Sequence, residues 1–358
     1  MLLRGLTMLV LFQLLGTALN HLLLPILPGP IIGLLLLLVF LIIRGEVGEP
    51  LNQAAGSLLR YLPLLLVPPA VGVMVYATAI AADFWAIVGA LVVSDPVDGF
   101  CRRADATAGQ TSRAAGGGVL MLFDWQGAWA SVIHHPLFGI GITLGAYQLV
   151  LAAFEKTRWI FLQPVLVSML LVIAVLVGCG LTYAEYRKST EILSILLGPA
   201  TVALAVPLYL NLRRIRQLFW PIFTTLVIGG VVATGMGVAL GWWFGADHMI
   251  LMTMAPKSVT SPIAMLVAEQ IGGVAALAAV FVLITGVIGA IFGPALLTRL
   301  GVHSPEARGM ALGMTAHAVG TAVAMQENDE CGAFAALAMS LMGVATAVFL
   351  PLAVSMVV

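Results

Sequence analysis

Lys257 stands within MAPKSVTSPIA and His317 within GMTAHAVGTAVAM, two stretches otherwise apolar enough to lie in a bilayer. Ionisable groups there are costly and mark solute paths or proton relays. An ammonium flanked by the hydroxyls of Ser258, Thr260 and Ser261, and an imidazole flanked by Thr315 and Thr321, would bind a carboxylate through charge and hydrogen bonds. Thr201, in LLGPATVALAVPLY, adds a further hydroxyl. Each group also has a plainer reading. Lys257 can snorkel to an interface or pair with Asp247, His317 can be a packed and satisfied core residue, and Ser and Thr often bond the carbonyl of the preceding turn. Glu269 reads as a proton carrier or, more simply, as an interfacial residue, and the adjacent His134 and His135 have a poor metal-ligand spacing.

The composition dictates the solvent around these groups. Of 358 residues, 61% are hydrophobic and only 9% charged, too few charges to cover a water-soluble domain of this size. Apolar runs recur along the chain, so the bilayer is a partner of nearly all of it. A net charge of zero, with most of the few Lys and Arg in short loops, leaves no basic stripe for nucleic acid. Cys101, Cys179 and Cys331 lie far apart, which suggests neither a disulfide framework nor a thiolate site. No HExxH, GxSxG, Walker A or dinucleotide pattern occurs in a credible context, so an enzyme, a cofactor and a metal are not expected.

The chain divides into three. Residues 1–94 carry apolar runs near 5–24, 31–43, 62–80 and 84–93. The first is read as a membrane helix rather than a leader, because no small-residue cleavage site follows. Residues 95–118 are polar and glycine-rich, as linkers are. Residues 119–358 return to membrane texture. The fourth run, at roughly 18 Å of helix, is too short to span a core of about 30 Å.

Loop charges give directions. Arg213, Arg214 and Arg216 place loop 211–217 inside, as do Arg299 and Arg308, Lys156 and Arg158, and Arg44 and Arg60 for theirs, while Glu327, Asp329 and Glu330 suit the outside. The walk makes 249–272 a re-entrant hairpin, broken at Pro256 and Pro262. It runs 160–181, 192–210 and 219–243 out, in and out, and 274–298, 306–326 and 333–356 in, out and in. Segment 136–153 then becomes the counterpart hairpin, and 134–245 and 246–356 inverted repeats. Gly198 and Pro199 in one half, and Gly320 in the other, are expected to break helices at mid-membrane. Pairs such as Gly141/Gly145, Gly289/Gly293 and Gly309/Gly313 are expected to pack helices. Half-helix N-termini carry partial positive charge, which makes a small organic anion the expected cargo.

Four phrases, LGPATVALAVPLY, PKSVTSPIAM, ITGVIGAIFGP and GMTAHAVGTAVAM, resemble the LrgB (CidB-like) family, and LPGPIIGLLLL with LLRYLPLLLVPPAVGVM resembles LrgA (CidA-like) proteins. The chain is similar to an LrgA–LrgB fusion, a class that includes plastid glycolate/glycerate translocators, with two-component bacterial members linked to pyruvate uptake. The resemblance implies a carrier of glycolate, glycerate, pyruvate or a similar monocarboxylate, with proton or sodium as candidate coupling ions. It also implies a bacterial inner membrane, with a plastid envelope as the alternative. The fold expected is an all-α polytopic membrane protein: an inverted-repeat, carrier-like bundle with broken helices and re-entrant hairpins, behind a small LrgA-like helical domain. A homo-oligomer is expected. The rival function is a holin/antiholin-like regulator of murein hydrolase export and cell lysis.

Overall fold

The computed structural model describes residues 2–83, 87, 131–157 and 162–356, and the regular elements among them are all helices. The expected linker 95–118, the end of the fourth run, Arg158 and Trp159 lie outside the described residues. Seven described helices are long and apolar enough to cross a membrane, or eight if one bent pair counts as a span.

The N-terminal part contains α1 (Leu2–Leu22), α2 (Gly29–Arg44) and α3 (Glu49–Val71), followed by a 3-10 turn (Gly72–Tyr76) and α4 (Ala77–Ala82). Pro30 at the start of α2 and the left-handed Gly45 after Arg44 set the limits of that helix. Leu9 of α1, Leu34, Leu37 and Leu41 of α2, and Ala54 of α3 form one apolar cluster with Val202 and Val206 from the larger part. The two parts therefore share a core.

In the larger part, α5 (Phe138–Thr157) is a continuous 20-residue helix that passes as a span. This corrects the expectation of a hairpin at 136–153: no proline or polar break interrupts the run, and only the symmetry argument asked for one. No atom lies within 4 Å of a methyl built at Gly141 or Gly145, so that pair does not pack helices as expected. Next come α6 (Pro164–Cys179) and α7 (Tyr183–Ser189), bent by 118° at the left-handed Gly180. The turn is fixed by a capping box between Thr182 and Glu185.

Three short helices, α8 (Glu191–Ile195), α9 (Leu197–Ala203) and α10 (Ala205–Leu210), follow one another as a single interrupted span. The interruptions fall at Leu196 and Leu204, each three residues before a proline, Pro199 and Pro207. A proline removes the N–H that would bond four residues back and crowds that carbonyl, so the discontinuity appears one turn upstream. Gly198 and Pro199 thus sit inside α9, not at the break itself. After α11 (Leu212–Gln217), α12 (Phe219–Trp243) crosses back, with Trp220 and Trp242 exposed near its ends like interfacial anchors.

Then α13 (His248–Met254) descends, residues 255–260 turn, and α14 (Ser261–Gln270) returns. A methyl at Gly273 would lie 2.8 Å from the Thr253 nitrogen, and the Val274 N–H donates to Thr253 Oγ1 at 2.9 Å. The segment is the expected hairpin, and Gln270 Nε2, at its outer end, donates to the Pro25 carbonyl beyond α1. From there α15 (Ala275–Arg299) crosses to the inner face.

Element α16 (Pro305–Glu327) corrects the sequence reading most. Its 23 residues have the length of a span, yet Arg308 near its start grips Glu327 at its end through two bonds of 2.7 Å. A straight helix would hold these residues about 28 Å apart at 1.5 Å per residue. The helix folds back at His317, whose φ of 37° and ψ of −121° are far from helical. A methyl at Gly320 would overlap the Leu312 carbonyl, so this glycine lets the two arms close while His317 makes the break. The segment therefore leaves and re-enters the inner face, and α17 (Asp329–Ser355) runs outward. The acidic residues 327–330 lie on the side of Arg299 and Arg308. Glu327 neutralises Arg308 there, a pairing invisible to a count of loop charges.

An inverted arrangement results within 248–355. One hairpin enters from one side and is followed by a span to the other; a second enters from that other side and is followed by a span back. Ala255, Val259 and Ile263 of the first, Met310 and Met314 of the second, and Phe334 and Met342 of α17 share one apolar cluster.

Candidate functional site

Each hairpin reaches partway into the membrane: the first arm of α16, twelve residues, covers roughly 18 Å of a core of about 30 Å. Its tip meets the tip of the outer hairpin. The His317 imidazole hydrogen-bonds the backbone carbonyl of Lys257 and lies close enough to feel the lysine's charge. His317 is 2% exposed and its Nε2 has no partner among the described residues. The ring rests on Gly286 of α15, where a methyl would come within 2.8 Å of Cε1. Only a glycine admits it.

Lys257 is 1% exposed, which removes the snorkelling alternative. Its stem lies along Gly237 of α12, where a methyl would sit 2.7 Å from Cε. Ser258, Thr260 and Ser261 are buried beside it in the chain, and the Thr260 Oγ1 has no partner among the described residues. Thr260 is also the N-cap of α14 without making a side-chain cap, and Pro262 opens the helix. The first-turn N–H groups there point toward the tip region. Both tips therefore present positive character: an ammonium, one half-helix N-terminus, and the start of the second arm just beyond His317.

The other expected residues are divided. Thr321 is buried, but its Oγ1 donates to the His317 carbonyl at 2.7 Å and so ties the turn. Thr315 Oγ1 donates to Ala311 O, the plainer reading. Thr201 Oγ1 likewise donates to Leu197 O, and Thr201 faces a different space, lining a cavity with Gly198 and Pro262. Pro256 lies in the outer hairpin's turn as expected. Glu269 is exposed, and His134 and His135 are exposed with His134 Nδ1 3.7 Å from Glu185. Among the described residues no cluster of three or more His, Cys, Asp or Glu forms a metal site.

Two residues escaped the sequence reading. Thr285, fully buried and with its Oγ1 unpartnered among the described residues, precedes the glycine under His317. It lies in ITGVIGA, where attention to the glycines hid it. Gln13 is an amide at the middle of α1, overlooked because it carries no charge.

Matches to known proteins follow this division. The LrgB-like family model covers residues 143–356 and includes both hairpins. The chain belongs to the LrgB-like family. The LrgA family model covers residues 13–97, so an LrgA segment and an LrgB domain are joined in one polypeptide. Relatives named "Antiholin-like protein LrgB" from Bacillus mycoides (strain KBAB4) and Bacillus cereus (strain B4264) are 32% identical over 218 residues, 61% of this chain and 95% of each relative. The protein of that name from Bacillus subtilis (strain 168) is 32% identical over 223 residues, covering 62% and 96%. No solved structure matches. The bacterial LrgB relatives agree with a multi-pass protein of the inner membrane.

Proposed function

We propose that this LrgA–LrgB protein is a secondary carrier of small monocarboxylates, with the anion held where the two hairpin tips meet. The observation that carries the reading is the contact of His317 with the Lys257 carbonyl deep in the fold. Interrupted backbone at that depth survives only where protein covers it or a cavity needs it. Half-helix termini at the midplane, approached from opposite faces, are how secondary carriers hold ions and acids between two aqueous sides. Lys257 and the start of α14 would take the carboxylate. The His317 Nε2, and a hydroxyl such as that of Thr260, would take the 2-oxo or 2-hydroxy oxygen. Glycolate, glycerate and pyruvate fit that pattern, with a proton or sodium ion as the driving partner.

The names of the relatives support a second reading, an antiholin-like regulator of murein hydrolase export and cell lysis, and favour it over any particular monocarboxylate. That role asks for membrane insertion and self-association but gives the buried Lys257 and the hairpin tips no task. Uptake of labelled pyruvate, glycolate and glycerate into proteoliposomes separates the two. The carrier predicts saturable uptake of at least one acid with a trapped polar dye retained; no uptake of any acid would leave the antiholin-like reading in possession.

A further inference from the structure

A cavity of about 560 Å³ lies between the LrgA segment and the LrgB domain, within the range of small-molecule sites. Its long wall is one face of α14, Pro262, Met265, Leu266 and Glu269, so it follows that helix from its exposed outer end to its first turn. That first turn belongs to the outer hairpin tip. The mouth carries the exposed Arg187 and Glu269. Halfway down, the walls come from both segments: Gln13 of α1 on one side, Gly198 and Thr201 of α9 on the other.

Gln13 decides what the cavity is for. A primary amide at the centre of a membrane helix is costly unless its donors and acceptor find partners. The side chain lies directly over Gly198, and a methyl at 198 would collide with it. Glycine there opens room for the amide, which borders the cavity and not the lipid. Arg187 at the mouth is the only cation in the lining among the described residues.

We propose that this cavity is a binding site for a small carboxylate entering from the outer face, with Arg187 drawing the anion in and the Gln13 amide forming its polar waist. The inference deepens the carrier reading and rests on it. It assigns the LrgA segment a direct part: Gln13 touches the solute, and the segment is one wall of the path.

The test introduces a thiol at the waist, Gln13→Cys, and at the α14 wall, Met265→Cys, in the full chain in proteoliposomes, with a negatively charged thiosulfonate reagent added outside. Both positions are expected to react faster than the wild type with its own cysteines. Pyruvate at about ten times its Kd should slow both reactions roughly tenfold, as competition for one space requires. Leu11→Cys, on the exposed side of the same helix, should show no protection. Having two positions on separate helices keeps the test decisive if one variant misfolds. Wild-type uptake is measured on the same preparation. Unprotected or unreactive thiols with intact uptake overturn the cavity site alone, whereas absent uptake overturns the carrier reading beneath it.

Discussion

Lys257→Met is expected to weaken saturable uptake of small monocarboxylates by roughly one to two orders of magnitude in affinity while the protein remains folded and monodisperse. Methionine nearly matches the lysine stem in volume, so the packing along Gly237 survives. What disappears is the ammonium, and a charge-assisted contact of this kind is worth about 1.5–3 kcal/mol. Solute affinity should therefore fall roughly 10- to 150-fold. Stability should move little, because methionine keeps the packing of the stem. The split between lost affinity and retained melting temperature distinguishes a ligand-binding lysine from one that merely holds the tips together. A lysine of structural importance alone would lower the melting temperature and leave the affinity of the surviving protein unchanged.

The second large effect concerns the inner hairpin. Gly313→Val should lower the melting temperature by roughly 1–4 °C, corresponding to overpacking of about 1–3 kcal/mol. A methyl at Gly313 would overlap the Ala335 carbonyl, and one at Gly309 the Cys331 carbonyl, so both meet the backbone of α17 and not a yielding side chain. The helices must separate, and the tip carried by α16 withdraws from Lys257 with them. Gly141→Val is the matched control, since open space surrounds that glycine. Equal melting temperatures for the two variants, measured in detergent, would contradict the packing of α16 on α17.

The same pair shows what a sequence can convey about this fold. Gly141/Gly145 and Gly309/Gly313 share one spacing, yet only the second faces a partner helix; spacing marks a face, not what lies opposite. The outer hairpin was legible because Pro256 and Pro262 bracket polar residues and so forbid a continuous helix. The inner hairpin was not. Its turn falls on His317, a non-glycine residue at positive φ, a conformation costing on the order of 1–3 kcal/mol that only the surrounding fold enforces. The usable signal was the opposite charge of Arg308 and Glu327 at the two ends of one apolar run. Of the site, Lys257 and His317 were legible as ionisable groups in apolar surroundings. That they meet was not, because the meeting depends on where α16 turns. Thr201 was assigned to the same place by analogy between broken segments, whereas the structure sets it in the neighbouring cavity.

Everything proposed for the hairpin tips depends on the chain turning back at His317, and a double-cysteine variant, Arg308→Cys with Glu327→Cys, tests that turn directly. In the folded-back chain, with Cys331 replaced by Ala because its sulfur lies 3.8 Å from the Glu327 carboxylate, the two thiols stand in for long side chains whose tips touch at 2.7 Å, so a bifunctional thiol reagent spanning about 10 Å should join them within the chain in high yield. Absence of that crosslink, with the two thiols labelled from opposite sides of the membrane, would mean a straight helix with its ends about 28 Å apart, leaving His317 no route to Lys257.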